Sequence, residues 1–229
     1  MTTVRDDERL ARAYGYPFRD ASPREPTDQA PEPWPAQASA VVAFGANVTR
    51  DALRAKLGAD ADGIRILDAT LHGVDAVYSA HVSPYGAIPA TLHPSAGTRL
   101  DARLLVLDAG VLARLDETEP NYERVVVEPP AHVEPWGART DRVEMYRSRH
   151  GPLLLGGAPR ALEEIPAGGR VFTALSQHAV QTAARDLLEP EAELDAFVLA
   201  GALDVALRAE RTAVLRGDRQ PARRRRKRG

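Results

Sequence analysis

The feature that most constrains the fold is an abrupt change of character at residue 40. Residues 17–35 contain six prolines, which rule out a continuous helix or a central strand there. Residues 40–44 are an uninterrupted apolar run, typical of a strand buried on both faces. We therefore predict that residues 1–38 are a peripheral proline-rich arm, with a short helix before residue 16, and that the globular part begins at this strand.

The segment after the apolar run reads as a tight loop followed by a helix. Gly45 breaks the run, Thr49 is a good N-cap, and Gly58 stops a helix that reaches Leu57. Such a loop points backbone N–H groups and the positive end of a helix dipole outwards, which suits a carboxylate or a phosphate. Neither a P-loop nor G-x-G-x-x-G is present, so nucleotide binding is not favoured.

Short β-like segments dominate the middle of the chain. They are predicted at 64–71, 76–82, 88–92 and 103–107, with glycine and proline between them, which favours an antiparallel meander or a small barrel. Further strands are expected at 122–128 and 142–147, and helices at 176–189 and 193–215. We divide the chain into a domain at 39–150, a helical extension at 151–216 packed on it, and a disordered basic tail at 217–229.

One carboxylate stands out from this pattern. Leu112, Leu115 and Glu119 share a helix face, and Pro120 should end that helix at Glu119. Burial and the negative end of the helix dipole both favour the protonated form of a carboxyl group, which lets a glutamate exchange a proton near neutral pH. The structural alternative is that Glu119 pairs with Arg114 or Arg124 and only closes the helix.

Composition and charge exclude several classes of protein. The chain has no cysteine, which removes disulfides, thiolate metal sites and cysteine nucleophiles. Its six histidines show no metal-ligand spacing, so we expect neither a metal nor another cofactor. No apolar run is long enough to span a membrane and no signal peptide is evident, which fits the cytoplasm. The net charge is −2, and without the six positive charges of residues 223–228 it is −8, so we expect no nucleic-acid-binding domain.

Three segments in register resemble the γ-glutamyl cyclotransferase family, over residues 40–147. The first is similar to the family's first-strand signature Y-G-S-N-L and consists of Phe44, Gly45, Ala46, Asn47 and Val48. The second, residues 85–94 with Gly97, resembles the glycine-rich strand before a proline and glycine turn. The third, residues 115–119 followed by Tyr122 and Arg124, resembles the L-D-x-x-E segment and its tyrosine.

The resemblance implies an α+β fold with a small mixed or antiparallel β-barrel and flanking helices, in a family that is often dimeric. It also implies that a γ-glutamyl substrate releases an amine or amino acid as 5-oxoproline forms, without a metal. The family's catalytic glutamate falls on Glu119, as general acid and base. The loop at 44–48 would bind the substrate's carboxylate or the developing oxyanion, and Tyr122 is a further candidate for lining the pocket.

The chain departs from the family pattern at three places. Phe44 replaces tyrosine, Ala46 replaces serine, and Pro120 replaces a glycine. The first two changes remove hydroxyl groups and favour a different hypothesis, a binding or assembly module that kept the fold and lost the chemistry. Retention of Glu119 and Asn47 favours the enzyme, because an acid on an apolar face is costly unless it is used or paired.

Overall fold

The computed structural model describes residues 4–18, 37–128, 131–134 and 142–219. Its helices are α1 (Val4–Tyr14), α2 (Arg50–Leu57), α3 (Ala109–Glu117), α4 (Gln177–Leu188), α5 (Leu194–Leu203) and α6 (Val205–Leu215). Its longer strands are β1 (Ser39–Ala43), β2 (Arg65–Tyr78), β3 (Ala90–Leu107), β4 (Tyr122–Val126), β5 (His132–Glu134) and β6 (Val143–Ser148). The two-residue strands are β7 (Leu154–Leu155), β8 (Ala158–Pro159), β9 (Ala161–Leu162), β10 (Ala167–Gly168) and β11 (Ala174–Leu175).

Nine of these strands form one mixed, mostly antiparallel sheet in the order β11-β9-β2-β3-β1-β6-β4, with β10 beside β3 and β5 beside β2. Only the β1–β6 and β9–β11 pairs are parallel. The α+β prediction, with a sheet and flanking helices, is therefore confirmed. The end strands β4 and β11 do not pair with each other in the described part of the chain, so closure into a barrel stays a prediction.

The centre of the sheet is a long bent hairpin of β2 and β3. Four short strands were predicted here, and that prediction is wrong. Gly73 has a φ of 80° and lies at a β-bulge, where the partner of β2 jumps from Arg99 to Pro94. The glycine and proline that suggested turns instead bend two continuous strands.

Apolar residues lie on both faces of β1, as predicted. Val42 belongs to the larger core cluster, and Val41 to a second one on the other face. The leucines of α2 and α3 pack into the second cluster: Leu53, Leu57, Leu112 and Leu115. Burying each of these side chains contributes about 1.5–3 kcal/mol, and this packing fixes both helices beside the carboxyl end of β1.

Local signals place most helix ends correctly. Thr49 accepts from the N–H of Ala52 at 3.2 Å and Gly58 has a φ of 63°, which confirms the predicted caps of α2. The long helix predicted at 193–215 is instead two helices, because Asp204 leaves the helical conformation and caps α6. None of the described helices has the length and apolar character needed to cross a membrane.

The two ends of the chain differ from expectation. The short helix before residue 16 is confirmed as α1, but Leu10, Ala13 and Tyr16 lie in the main core rather than on a peripheral arm. The extension after residue 150 contains five short strands before its helices, and three of them join the sheet. The proline-rich residues 19–36 and the basic residues 223–228 lie outside the described residues.

Candidate active site

The loop after β1 carries five of the predicted site residues. Phe44 and Val48 are buried, and residues Ala46–Val48 form a single 3-10 turn that leads into Thr49 and α2. The N–H of Val48 donates to the carbonyl of Gly45 at 3.4 Å, whereas the N–H groups of Ala46 and Asn47 make no hydrogen bond within the described ranges. The loop therefore has amide donors to offer a ligand.

Glycine is required at position 45 for a reason that the sequence does not show. A Cβ there would lie 2.8 Å from the hydroxyl oxygen of Tyr16, closer than side chains tolerate. Tyr16 is 4% exposed and also accepts from the N–H of Ala90 at 2.9 Å. Phe44 lacks the hydroxyl of the tyrosine that it replaces, but Tyr16 brings a hydroxyl group close to the same loop.

Glu119 lies in a turn just after α3. The helix ends at Glu117, two residues before the predicted end, and the Glu119 N–H donates to the carbonyl of Asp116 at 3.1 Å. The Glu119 carbonyl accepts from the N–H of Tyr122 at 2.9 Å, so Pro120 occupies the second position of a β-turn. Proline is favoured there because its φ is already suitable. Pro120 therefore holds Glu119 in place rather than disturbing it.

The Glu119 carboxylate is held by one of its two oxygens. Asn47 Nδ2 donates to Oε1 at 2.9 Å, and Lys56 Nζ donates to the same oxygen at 2.5 Å. Lys56 also donates to Asn47 Oδ1 at 2.7 Å, which closes a triangle of three side chains. No hydrogen bond or ion pair of Oε2 is found among the described residues, so this oxygen is available to accept one from a ligand.

The two arginine partners predicted for Glu119 in the structural alternative are wrong. Arg114 pairs with Asp60, and Arg124 pairs with Asp116 and Glu144. The cation beside Glu119 is Lys56, whose side chain is 27% exposed against 12% for Glu119. No local pattern signals this pair, because Lys56 in α2 and Glu119 in the turn after α3 are 63 positions apart.

All seven predicted site residues line one cavity of about 910 Å³. They are Glu119, Phe44, Gly45, Ala46, Asn47, Val48 and Tyr122. Tyr122 donates its hydroxyl to the carbonyl of Ala90 at 2.8 Å, and burial raises its pKa well above the ordinary value. Its hydroxyl proton is therefore already in use, and Tyr122 contributes to the wall of the cavity rather than to proton transfer.

Further lining residues come from parts of the chain that the sequence did not connect with the site. Arg12 from α1 lies over the ring of Tyr85, with its guanidinium carbon 5.3 Å from the ring centroid. Among the described residues, three cations line the cavity: Lys56 pairs with Glu119, Arg103 pairs with Asp68, and the third is Arg12. Arg12 has no acidic partner in the part of the chain that the structure describes, so it can receive an anionic group.

His81 adds a neutral imidazole to the wall. It is 2% exposed, and its Nδ1 lies 2.8 Å from Ser79 Oγ. Burial lowers the pKa of His81 to about 3, with a smaller contribution from His150, whose ring centroid is 4.5 Å away. His81 therefore faces a ligand without a charge at neutral pH.

The arrangement suits proton transfer to and from a nitrogen of a ligand in this cavity. A carboxylate with its hydrogen bonds on one oxygen, a loop with amide donors and a cation from α1 line the same cavity. No group of three potential metal ligands lines the cavity in the described ranges.

Comparison with known proteins gives structural likeness only. No protein-family profile and no curated protein matches the sequence. The chain is similar to a solved Arabidopsis thaliana protein, with 22% identity, 50% of this chain and 71% of that chain covered, and a TM-score of 0.36. It is similar to an uncharacterised human protein, with 10% identity, coverage of 77% and 88%, and a TM-score of 0.38. It is also similar to a γ-glutamyl cyclotransferase, with 12% identity, coverage of 71% and 87%, and a TM-score of 0.38.

Proposed function

We propose that this protein is a γ-glutamyl cyclotransferase-like enzyme that releases an amine or an amino acid from a γ-glutamyl substrate as 5-oxoproline forms. The observation that carries the proposal is the position of Glu119, which lines the cavity beside the 44–48 loop with Oε1 bonded to Asn47 and Lys56 and Oε2 open. The sequence resemblance assigns the catalytic role to the same residue.

In this mechanism Glu119 acts first as a base and then as an acid, with the same proton. Its Oε2 takes a proton from the substrate's α-amine, and the amine nitrogen attacks the substrate's own γ-carbonyl carbon to close a five-membered lactam. Glu119 then gives that proton to the departing nitrogen as the γ-amide C–N bond breaks. Nucleophile and carbonyl belong to one molecule, so the site's main task is to hold the bent conformation and exclude water.

The loop and Lys56 support the two charged species in this reaction. The N–H groups of Ala46 and Asn47 can donate to the carbonyl oxygen as negative charge develops on it. Lys56 neutralises the carboxylate through Oε1 and orients it, while leaving the other oxygen to the substrate. Neither role needs the hydroxyl groups that are absent at Phe44 and Ala46.

Arg12 suggests which γ-glutamyl substrates are preferred. A guanidinium that lines the cavity without an acidic partner among the described residues is suited to a carboxylate. Once the loop and Glu119 hold the γ-glutamyl part, a carboxylate on the departing part can reach for this cation. We therefore expect γ-glutamyl amino acids to react better than γ-glutamyl amines, which lack that carboxylate.

One observation favours the alternative, a non-catalytic binding module. The contact of Lys56 with Glu119 also satisfies the requirement that a partly buried acid be paired, with no chemistry involved. The two hypotheses differ in what happens to Oε2: in the enzyme it must meet a substrate amine, whereas in a binding module it need not.

The test is a product assay with the purified protein. A panel of γ-glutamyl amino acids and γ-glutamyl amines is incubated with it, and 5-oxoproline is measured. The proposal predicts product from wild type, a preference for γ-glutamyl amino acids that Arg12→Met reduces, and a loss of about 10²–10⁴-fold in Glu119→Gln. Silence across the panel would favour the binding module. The homodimer and the cytoplasmic location stay predictions from the sequence.

A further inference from the structure

We propose that His72, His132 and Glu134 form a binding site for one divalent transition-metal ion of the zinc class, apart from the cavity. None of the three lines the cavity, and they are the only group of three potential metal ligands among the residues that the structure describes. The site departs from the expectation of no metal, which rested on ligand spacing along the sequence.

The register of the sheet brings the ligands together. His72 in β2 lies directly opposite His132 in antiparallel β5. Glu134 follows His132 by two positions and therefore points to the same face of the strand, while Val133 between them is buried. A pattern of this kind cannot be seen in the sequence, because His72 and Glu134 are 62 positions apart.

The distances fit a metal ion. His72 Nε2 lies 3.0 Å from Glu134 Oε2, His132 Nε2 lies 3.6 Å from Glu134 Oε1, and donor atoms of all three residues lie within 4.8 Å of one another. Donors around a tetrahedral ion with bonds of about 2.0–2.1 Å stand roughly 3.3 Å apart, between the first two values. The imidazole rings are stacked, with centroids 4.4 Å apart and planes inclined by 8°, so the rings must turn out of this arrangement for both lone pairs to point at one ion.

The ligand chemistry selects the class of ion. Two imidazoles and one carboxylate are typical of zinc and its neighbours, whereas calcium and magnesium prefer oxygen ligands alone. The side chains of His132 and Glu134 are 58% and 61% exposed, which leaves room for water as a fourth ligand. One metal ion can bind both imidazoles and the carboxylate at once.

The consequence of binding would be to fix β5 to the sheet. This strand has three residues and pairs with β2 at three positions, so a shared ion is a substantial addition to its attachment. An ion that binds only the folded state raises the free energy of unfolding. Once the ion concentration exceeds the dissociation constant, this gain grows with the logarithm of their ratio.

The test is calorimetric titration of chelator-treated, full-length protein with ZnCl₂. We expect one ion per chain for wild type, and binding weakened by about tenfold or more in His132→Gln and in Glu134→Gln, since even changes around metal ligands cost about 10–100-fold. His178→Gln is the matched control, because His178 is an exposed histidine in α4 and should bind as wild type does.

A thermal melt supplies a second measurement that does not depend on any activity. Zinc should raise the melting temperature of wild type and of His178→Gln, but not that of His132→Gln. The proposal is overturned if wild type binds no zinc, or if His132→Gln binds it as tightly as wild type. Either result would mean that the three side chains form only an ion-paired surface cluster. The outcome is independent of 5-oxoproline formation.

Discussion

Two ion pairs in this molecule are built differently, and the difference separates a structural carboxylate from a candidate catalytic one. Asp75 is fully buried. Arg170 donates to both of its carboxylate oxygens, from Nε to Oδ2 at 2.8 Å and from Nη2 to Oδ1 at 3.0 Å. Arg170 also donates to the carbonyls of Leu162 and Ile165. Glu119 is 12% exposed and has both of its polar contacts on Oε1.

The pair of Asp75 and Arg170 engages both carboxylate oxygens of a fully buried side chain, so this carboxylate is not open to a ligand. The pair of Glu119 and Lys56 anchors the carboxylate while one oxygen still borders the cavity. The comparison therefore predicts opposite consequences of mutation: loss of stability at Asp75 and loss of chemistry at Glu119.

The largest expected effect is that of Glu119→Gln on activity. Glutamine keeps the shape and can still contact Asn47, but it cannot take up a proton, so 5-oxoproline formation should fall by about 10²–10⁴-fold. The free energy of unfolding should change by less than about 1 kcal/mol, because the contact with Lys56 is partly solvated. Product assays and urea denaturation measure the two quantities.

The matched control for this change is Glu117→Gln. Glu117 is the last residue of α3, two positions before Glu119; it is exposed and does not line the cavity. It should retain wild-type activity, and an equal loss in both variants would contradict a specific role for Glu119.

The next effect is that of Asp75→Asn on stability. It leaves the Arg170 guanidinium largely buried without a countercharge, which costs about 3–5 kcal/mol. Activity per folded molecule should not change, since Asp75 does not line the cavity. The comparison fails if Asp75→Asn denatures in urea as wild type does.

Buried His81 gives a smaller effect, which depends on pH. Its pKa is lowered from 6.5 to about 3 in the folded state. Between these two values the unfolded chain is protonated at His81 and the folded chain is not. Stability is thus fully present above pH 6.5 and falls as pH drops towards 3, by up to about 1.4 kcal/mol per pH unit. Urea denaturation at pH 7 and pH 5 should show a smaller drop in His81→Asn than in wild type. An unchanged drop would assign the pH dependence to other groups.

The smallest expected effect is that of Lys56→Met. It removes the cation from Glu119 but keeps Asn47 on the same oxygen, so we expect kcat/KM to fall by about tenfold, or about 1.4 kcal/mol. A loss as large as that of Glu119→Gln would instead mean that Lys56 itself transfers the proton.

The parts of the fold that depend on neighbouring residues could be predicted from the sequence. Thr49 and Gly58 define α2, Ser176 defines the start of α4, and the apolar run defines β1, because caps and hydrophobic pattern act within a few residues. The family resemblance also implied that the 44–48 loop and Glu119 belong to one site, and both line the same cavity.

The missed features all depend on distant contacts. Gly73 looks like a turn until the bulge between β2 and β3 is known. Tyr16 reaches Ala90 across 74 positions, and Lys56 reaches Glu119 across 63. The prolines that follow Tyr16 favoured a peripheral arm. The burial of Tyr16 was missed because it depends on a distant segment of the chain.

The most direct test of the central claim, that the open oxygen of Glu119 meets the substrate amine, is a crystal structure of Glu119→Gln with a γ-glutamyl amino acid bound. We predict that the α-amine lies about 2.6–3.2 Å from the side-chain atom that replaces Oε2. The γ-carbonyl oxygen should lie against the N–H groups of Ala46 and Asn47. A substrate that binds with its amine away from residue 119 would contradict the account.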